Sequence, residues 1–214
     1  MPKPRKPATQ IPEKTMKIFC EGEKTEPNYI NSYLDHIGST NQQSVVRVEK
    51  TRKNTPVQLV EAAINAKNNP ATLPDDIFWV VYDRENVAKY TDALHAKARK
   101  MADQKGINIA LSNVCFEYWI LLHLVDTQAP YSDFKDLKKT SALNAEFKKL
   151  DCDNYEKSSA TIFDIVKHGL DNARTRAVRL NAAGKQNAQH GRDQDHQINP
   201  YMGMVDLLDD IDNF

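Results

Sequence analysis

The chain has 214 residues, 29 Lys and Arg against 29 Asp and Glu, and 40% hydrophobic residues. That suits one ordinary globular domain, or a compact one with an appendage, long enough to bury roughly 70% of its unfolded surface without a disulfide or zinc staple. The three scattered cysteines, Cys20, Cys115 and Cys152, argue against a zinc ribbon and for a reducing, cytoplasmic setting, and no apolar run reaches the roughly 20 residues of a membrane span or resembles a signal peptide.

Zero net charge removes the simplest sign of a nucleic-acid partner, yet a balanced total can hide segregated patches. The first 17 residues carry Lys3, Arg5, Lys6, Lys14 and Lys17 against Glu13 alone, with Pro2, Pro4, Pro7 and Pro12. Residues 1–15 therefore read as a disordered basic arm. Lys135 to Arg192 holds twelve basic and seven acidic residues, and Asp193 onward has six aspartates and no Lys or Arg. Such clusters are also what ordinary solvated helix faces look like.

In chain order, Met16 to Cys20 is a short apolar run closed by Glu21-Gly22, the pattern of a buried strand ending in a turn. Pro27 near a first helical position, then Ile30, Tyr33, Leu34 and Ile37 up to Gly38, predict a helix. Val45 to Glu49 reads as a second strand, and Thr55-Pro56 opens a second helix that Asn68-Asn69-Pro70 ends. Ile77 to Tyr82 is continuously apolar and aromatic, as expected of a central strand covered on both faces. A helix from about Val87 to Gln104, a strand from Asn108 to Leu111 and an apolar helix from Val114 to Val125 follow.

Beyond Asp126 no convincing strand appears. Ser141 to Leu150, Ile162 to Ala183 and Val205 to Ile211 read as helices, and Asn181 to His196 as a loop. Strands alternating with helices predict an α/β fold with a largely parallel sheet of about four strands. The expected organisation is an arm (1–15), an α/β core (16–130) and a helical region packed on it (131–214).

Ligands of open α/β sheets bind beyond the carboxyl ends of the strands. Three predicted strands deliver Glu21-Gly22-Glu23, Asp83-Arg84-Glu85, and Ser112-Asn113 followed by Glu117 to one edge. Like charges gathered there repel unless a cation sits among them, and hard oxygen donors suit Mg2+ or Mn2+. Glu23 and Glu26 serve equally well as first-turn acids for a helix dipole. Asp83 has a bland alternative as a cap for the next helix, and Glu117 needs either a cation or a basic side chain. His123 shares a helix face with Phe116, Trp119 and Ile120 and reads as a hydrogen-bonded core residue. No phosphate loop, dinucleotide fingerprint or serine-hydrolase elbow is present.

Phe19 to Tyr29 (Phe-Cys-Glu-Gly-Glu-Lys-Thr-Glu-Pro-Asn-Tyr), Val81 to Glu85 (Val-Tyr-Asp-Arg-Glu), and Ser112 to His123 (Ser-Asn-Val-Cys-Phe-Glu-Tyr-Trp-Ile-Leu-Leu-His) together resemble the RloB-like family. Tyr155-Glu156-Lys157 and Asn199-Pro200 look like its C-terminal half. The resemblance implies a Toprim/Rossmann-like core and a metal-dependent nuclease of bacterial phage defence, acting on DNA or RNA beside a separate ATPase subunit. By the same resemblance Glu21, Asp83 and Glu85 hold Mg2+ (or Mn2+), with Glu21 as general acid or base. Glu85 stands where the Toprim pattern has a second Asp. Glu117 is a further metal candidate, and Ser112 and Asn113 belong to the family's own signature.

Lys157 and Arg84 are expected to stabilise phosphate charge, although Lys157 reads equally as a surface lysine. Asn113, Arg174 and Arg179 are candidates to hold the nucleic acid, and a homo-oligomer is allowed. Two rivals stand beside the nuclease reading: a non-enzymatic sensor or regulator of a defence complex, and a phosphatase or nucleotidyl-transfer enzyme acting on small phosphate esters.

Overall fold

The computed structural model describes residues 14–38 and 44–214, so most of the basic arm lies outside the described residues. Five strands form one sheet: β1 (Lys14–Cys20), β2 (Ser44–Glu49), β3 (Ile77–Asp83), β4 (Asn108–Asn113) and β5 (Tyr201–Met202). Their order is β2-β1-β3-β4-β5, with β3 central as its apolar run predicts. The first four strands are parallel and β5 is antiparallel to β4. The α/β expectation stands, with one strand more than the sequence suggested.

Strand periodicity builds two cores. On one face Met16, Ile18, Cys20, Trp79, Val81 and Ala110 join α1 (Thr25–Ile37), α4 (Glu117–Leu124) and the C-terminal helices. On the other, Phe19, Phe78, Val80, Tyr82, Ile109 and Leu111 pack on α2 (Pro56–Lys67) and α3 (Asp92–Lys105). Alternate residues of one strand thus feed opposite layers, which is why β3 had to be apolar throughout.

Four expectations, one for a strand and three for helices, need correction. β1 begins at Lys14, inside the span read as an arm. The helix expected from Val87 starts at Asp92, because Thr91 caps it by accepting the Leu94 N–H and residues 84–91 form a loop. The expected helix from Ile162 to Ala183 is broken into α7 (Ile162–Val166), a 3-10 turn at Lys167–Gly169 and α8 (Leu170–Gln186). A Cβ on Gly169 would stand 2.2 Å from the His123 carbonyl oxygen, so close passage over α4 requires glycine there. α8 also continues to Gln186, converting the first third of the expected loop into helix. Two short helices, α5 (Phe134–Thr140) and α6 (Leu143–Lys149), precede α7, and α9 (Met204–Asp212) ends the chain.

β5 escaped the sequence reading because two residues carry no periodicity. Met202 pairs with Ser112 and Tyr201 with Asn113, and the Gly203 N–H donates to the Leu111 carbonyl at 2.8 Å. A Cβ on Gly203 would approach the Leu111 nitrogen to 2.8 Å. Residues beyond 131 therefore complete the sheet and share the larger core. Among the described residues no helix is long and apolar enough to cross a membrane.

Candidate functional site

The strand order reverses direction between β1 and β3, since β1 leads to β2 on one side and β2 returns across to β3 on the other. Such a switch point leaves a crevice beyond the carboxyl ends of the two strands. Glu21 directly follows β1 and Asp83 ends β3. The Glu21 N–H donates to the Val81 carbonyl at 2.8 Å, and Glu21 Oε2 accepts the Asp83 N–H at 3.2 Å. Two carboxylates are thus fixed side by side by backbone.

A cavity of about 400 Å³ opens there, lined among others by Glu21, Glu26, Asp83, Glu85, Lys89 and Lys157. Asp83 is 7% exposed, and its carboxyl is pushed well up by burial and then by the charges of Glu26, Glu117, Glu21 and Glu85. Burial likewise raises Glu21, against the Asp83 N–H, Lys89 and Tyr90, which favour its charged form. Burial and the neighbouring Glu117 push Glu26 up to about 7, against its own backbone N–H. Mutual repulsion at low solvent access is the common cause.

Glu26 is the residue sequence reasoning undervalued. It sits in the first turn of α1, as a dipole-favoured acid would, but it is only 7% exposed and faces the crevice. Gly22 permits this, because a Cβ there would stand 2.1 Å from Glu26 Oε2. The available signal was position: an acid five residues after a strand-end Glu, opening the next helix on the same sheet edge. Lys89 and Tyr90 carried no such signal. Tyr90 Oη donates to Glu21 Oε1 at 3.0 Å, and Lys89 Nζ lies 2.8 Å from Glu85 Oε1 and 3.8 Å from Glu21 Oε1.

Glu85 reaches the cavity from a loop and not from the strand. Strand geometry does not persist past Asp83, and Glu85 adopts φ 54°, the left-handed region that a β-carbon disfavours. Its N–H donates to Val114 O at 3.0 Å, which holds this conformation, and its carboxylate pairs with Lys89.

Glu117 has the basic side chain its buried position calls for, and a hydroxyl donor beside it. It is 1% exposed; Oε1 accepts the Tyr155 hydroxyl at 3.0 Å and faces Lys157 Nζ at 3.5 Å, while Oε2 is buried without a hydrogen-bond partner. Lys157 arrives because the Ser158 N–H donates to Thr25 Oγ1 at 3.1 Å and Asn28 donates to the carbonyls of Ser158 and Ser159 at 3.3 Å. Partial burial works against its charge, but Glu117, Asp83 and Glu26 outweigh that and raise its pKa.

The remaining candidates are engaged in holding the fold. Arg84, 4% exposed, donates to the carbonyls of His196 and Tyr90 at 2.9 and 2.7 Å and to Asp92 at 2.7 Å. Asn113 donates to the carbonyls of His196 and Ile198, fastening the segment before β5. Arg174 is bound to Asp209, Asp212 and the Tyr33 hydroxyl, and Arg179 to Asp126. These four do not converge on the cavity, and the acidic tail has its own basic partner in Arg174. His123 is the core residue its helix face suggested, bonded to Tyr29 and Val166, and burial lowers it to about 3.

The family model for RloB-like proteins matches residues 16–211. The chain belongs to the RloB-like family. No curated protein and no solved structure matches it.

The family resemblance implies a divalent cation. Among the described residues no three His, Cys, Asp or Glu side chains stand together at the spacing that would hold a metal ion. The donor chemistry nevertheless fits Mg2+, which takes one or two carboxylates and completes its shell with water and phosphate oxygens. The mutually repelling carboxyls around Asp83 are what such an ion would relieve, while Glu117 stands behind them and does not line the cavity.

Proposed function

We propose that this RloB-like protein is a metal-dependent phosphodiesterase acting on nucleic acid, built on a Toprim-like core, that serves phage defence beside an ATPase subunit. The observation that carries the chemistry is the convergence of Glu21, Glu26, Asp83 and Glu85 with Lys89 and Lys157 in one crevice at the switch point of the sheet. The family resemblance carries the defence setting and the ATPase.

Asp83 and Glu21 would hold the ion, with Glu85 and Glu26 as neighbouring oxygen donors. A bound divalent cation would neutralise the phosphate and make an attacking water more acidic. Glu21, held beside Asp83 by the Asp83 N–H, would take or return the proton. Lys157, held by Glu117 at the cavity wall, would meet the charge that grows on the phosphate oxygens. Arg84 is left out of this scheme, since its donors already hold the 84–92 loop and the segment before β5.

One observation favours a second reading, a regulatory module without catalysis. Lys89 and Lys157 already stand against Glu85, Glu21 and Glu117, which compensates the acidic cluster without an ion. Incubating the purified chain with plasmid DNA and bulk tRNA, with Mg2+ or Mn2+, separates the two. Cleavage that needs metal and disappears in Asp83→Asn and Glu21→Gln is expected. Cleavage surviving both substitutions refutes the assigned site, and no cleavage with either metal selects the regulatory module.

A further inference from the structure

A second cavity, of about 700 Å³, adjoins the carboxylate crevice and shares Gly22 and Glu23 with it as a common wall. Its far side is the start of the β2–α2 loop, Lys50, Thr51 and Arg52, and Asn54 of the same loop lines the carboxylate crevice. The loop therefore runs from one cavity into the other. Both its ends are fixed: Glu49 pairs in register with Phe19, and the Tyr90 hydroxyl contacts both the Asn54 carbonyl and Glu21.

Lys50, Arg52 and Lys53 are exposed, and none pairs with a carboxylate among the described residues. Most of the other arginines behave differently: Arg84, Arg99, Arg174, Arg179 and Arg192 each stand against an aspartate. Lys50 and Arg52 line the second cavity with Glu23 and Glu49, Lys53 follows on the same loop, and Lys24 lines the carboxylate crevice beside Glu23, so these four cations outnumber the two acids of the second cavity. A small phosphate ester confined to the crevice has no use for that excess. A chain of phosphates entering from the side does, because each neutralised phosphate releases condensed counterions.

We propose that the β2–α2 loop and the second cavity form the entry track for a polynucleotide strand. Lys50, Arg52 and Lys53 grip phosphates flanking the one held at Asp83, while the Asn31 amide and the walls of the cavity receive an unpaired nucleotide. This rests on the phosphodiesterase reading and assigns the surface along which its nucleic-acid strand runs. The phosphate chemistry is common to DNA and RNA, so both are arms of the test.

The test is binding, measured apart from turnover. Fluorescence anisotropy of labelled 20-nucleotide single-stranded DNA and RNA is recorded in EDTA from 0.05 to 0.5 M salt. The wild type is compared with Lys50→Ser/Arg52→Ser/Lys53→Ser and with a charge-matched control, Lys135→Ser/Lys138→Ser/Lys139→Ser on exposed positions of α5 and its start. Three lost phosphate contacts reduce the single-strand salt slope by about 2, which amounts to roughly hundredfold weaker binding at 0.1 M salt. The control is expected to bind as wild type, and thermal melting of both variants to match it.

A wild-type chain that binds neither oligonucleotide, or a loop variant that binds as the control does, overturns the proposal. Tight binding through the loop with no cleavage under any metal would refute the phosphodiesterase reading alone. Cleavage that depends on Asp83 with a loop variant that binds normally would refute the track alone.

Discussion

If the carboxyls of the crevice repel one another as their packing implies, replacing Glu26 by Gln should change the pH dependence of stability in a defined direction. Glu26 is pushed from 4.5 up to about 7, chiefly by burial. In that interval the folded state holds a proton that the unfolded state has released. Stability from this group is therefore full below pH 4.5 and is lost as pH rises through about 7. Integrating the linkage from pH 5 to pH 8 gives a loss of about 2.5 kcal/mol. Gln keeps the shape and cannot ionise, so the Gln variant should gain about that much relative to wild type across the same interval. Urea denaturation followed by circular dichroism at pH 5, 6, 7 and 8, in EDTA, measures the difference. Differencing against wild type removes the groups that do not feel Glu26, including His123, which burial shifts the opposite way. Stability curves that run parallel from pH 5 to 8 would refute the reasoning, because Glu26 would then ionise as freely folded as unfolded.

Three further outcomes follow from individual contacts. Arg84→Lys should cost about 3 kcal/mol in urea denaturation, because an ammonium cannot reproduce three directed bonds to His196, Tyr90 and Asp92; nucleic-acid affinity per folded molecule should stay as in wild type, and a selective loss of affinity would restore Arg84 as a ligand contact. Tyr155→Phe strips the buried Glu117 of its hydroxyl donor and should cost about 1–3 kcal/mol, read as a lower melting temperature. Gly203→Ala drives a methyl against the Leu111 backbone and should cost about 1–3 kcal/mol, with faster amide exchange at the β4–β5 pairing.

The sequence by itself determined the alternation of strands and helices, the central place of Ile77–Asp83 and the delivery of Glu21 and Asp83 to one sheet edge. These follow from short-range causes: apolar runs make buried strands, a parallel sheet puts all its carboxyl ends on one side, and ligands collect there. Short-range patterns could not separate unpaired cations from paired ones. Arg84, Arg174 and Arg179 look as available in the sequence as Lys50, Arg52 and Lys53, and only the tertiary structure surrounds the first three with carbonyls and aspartates and leaves the others clear of carboxylates among the described residues. Contacts distant in sequence decide this: His196 reaches Arg84 across 112 residues, Asp212 pairs with Arg174 across 38, and Ser158 reaches Thr25 across 133 and so brings Lys157 to α1. The same holds for Glu26, an unremarkable helix-start acid until Gly22 and the fold of β1 against β3 bury it beside Asp83 and Glu117. Burial in the company of like charge is a property of the assembled crevice, and it turns a solvated carboxylate into a group whose ionisation must be compensated.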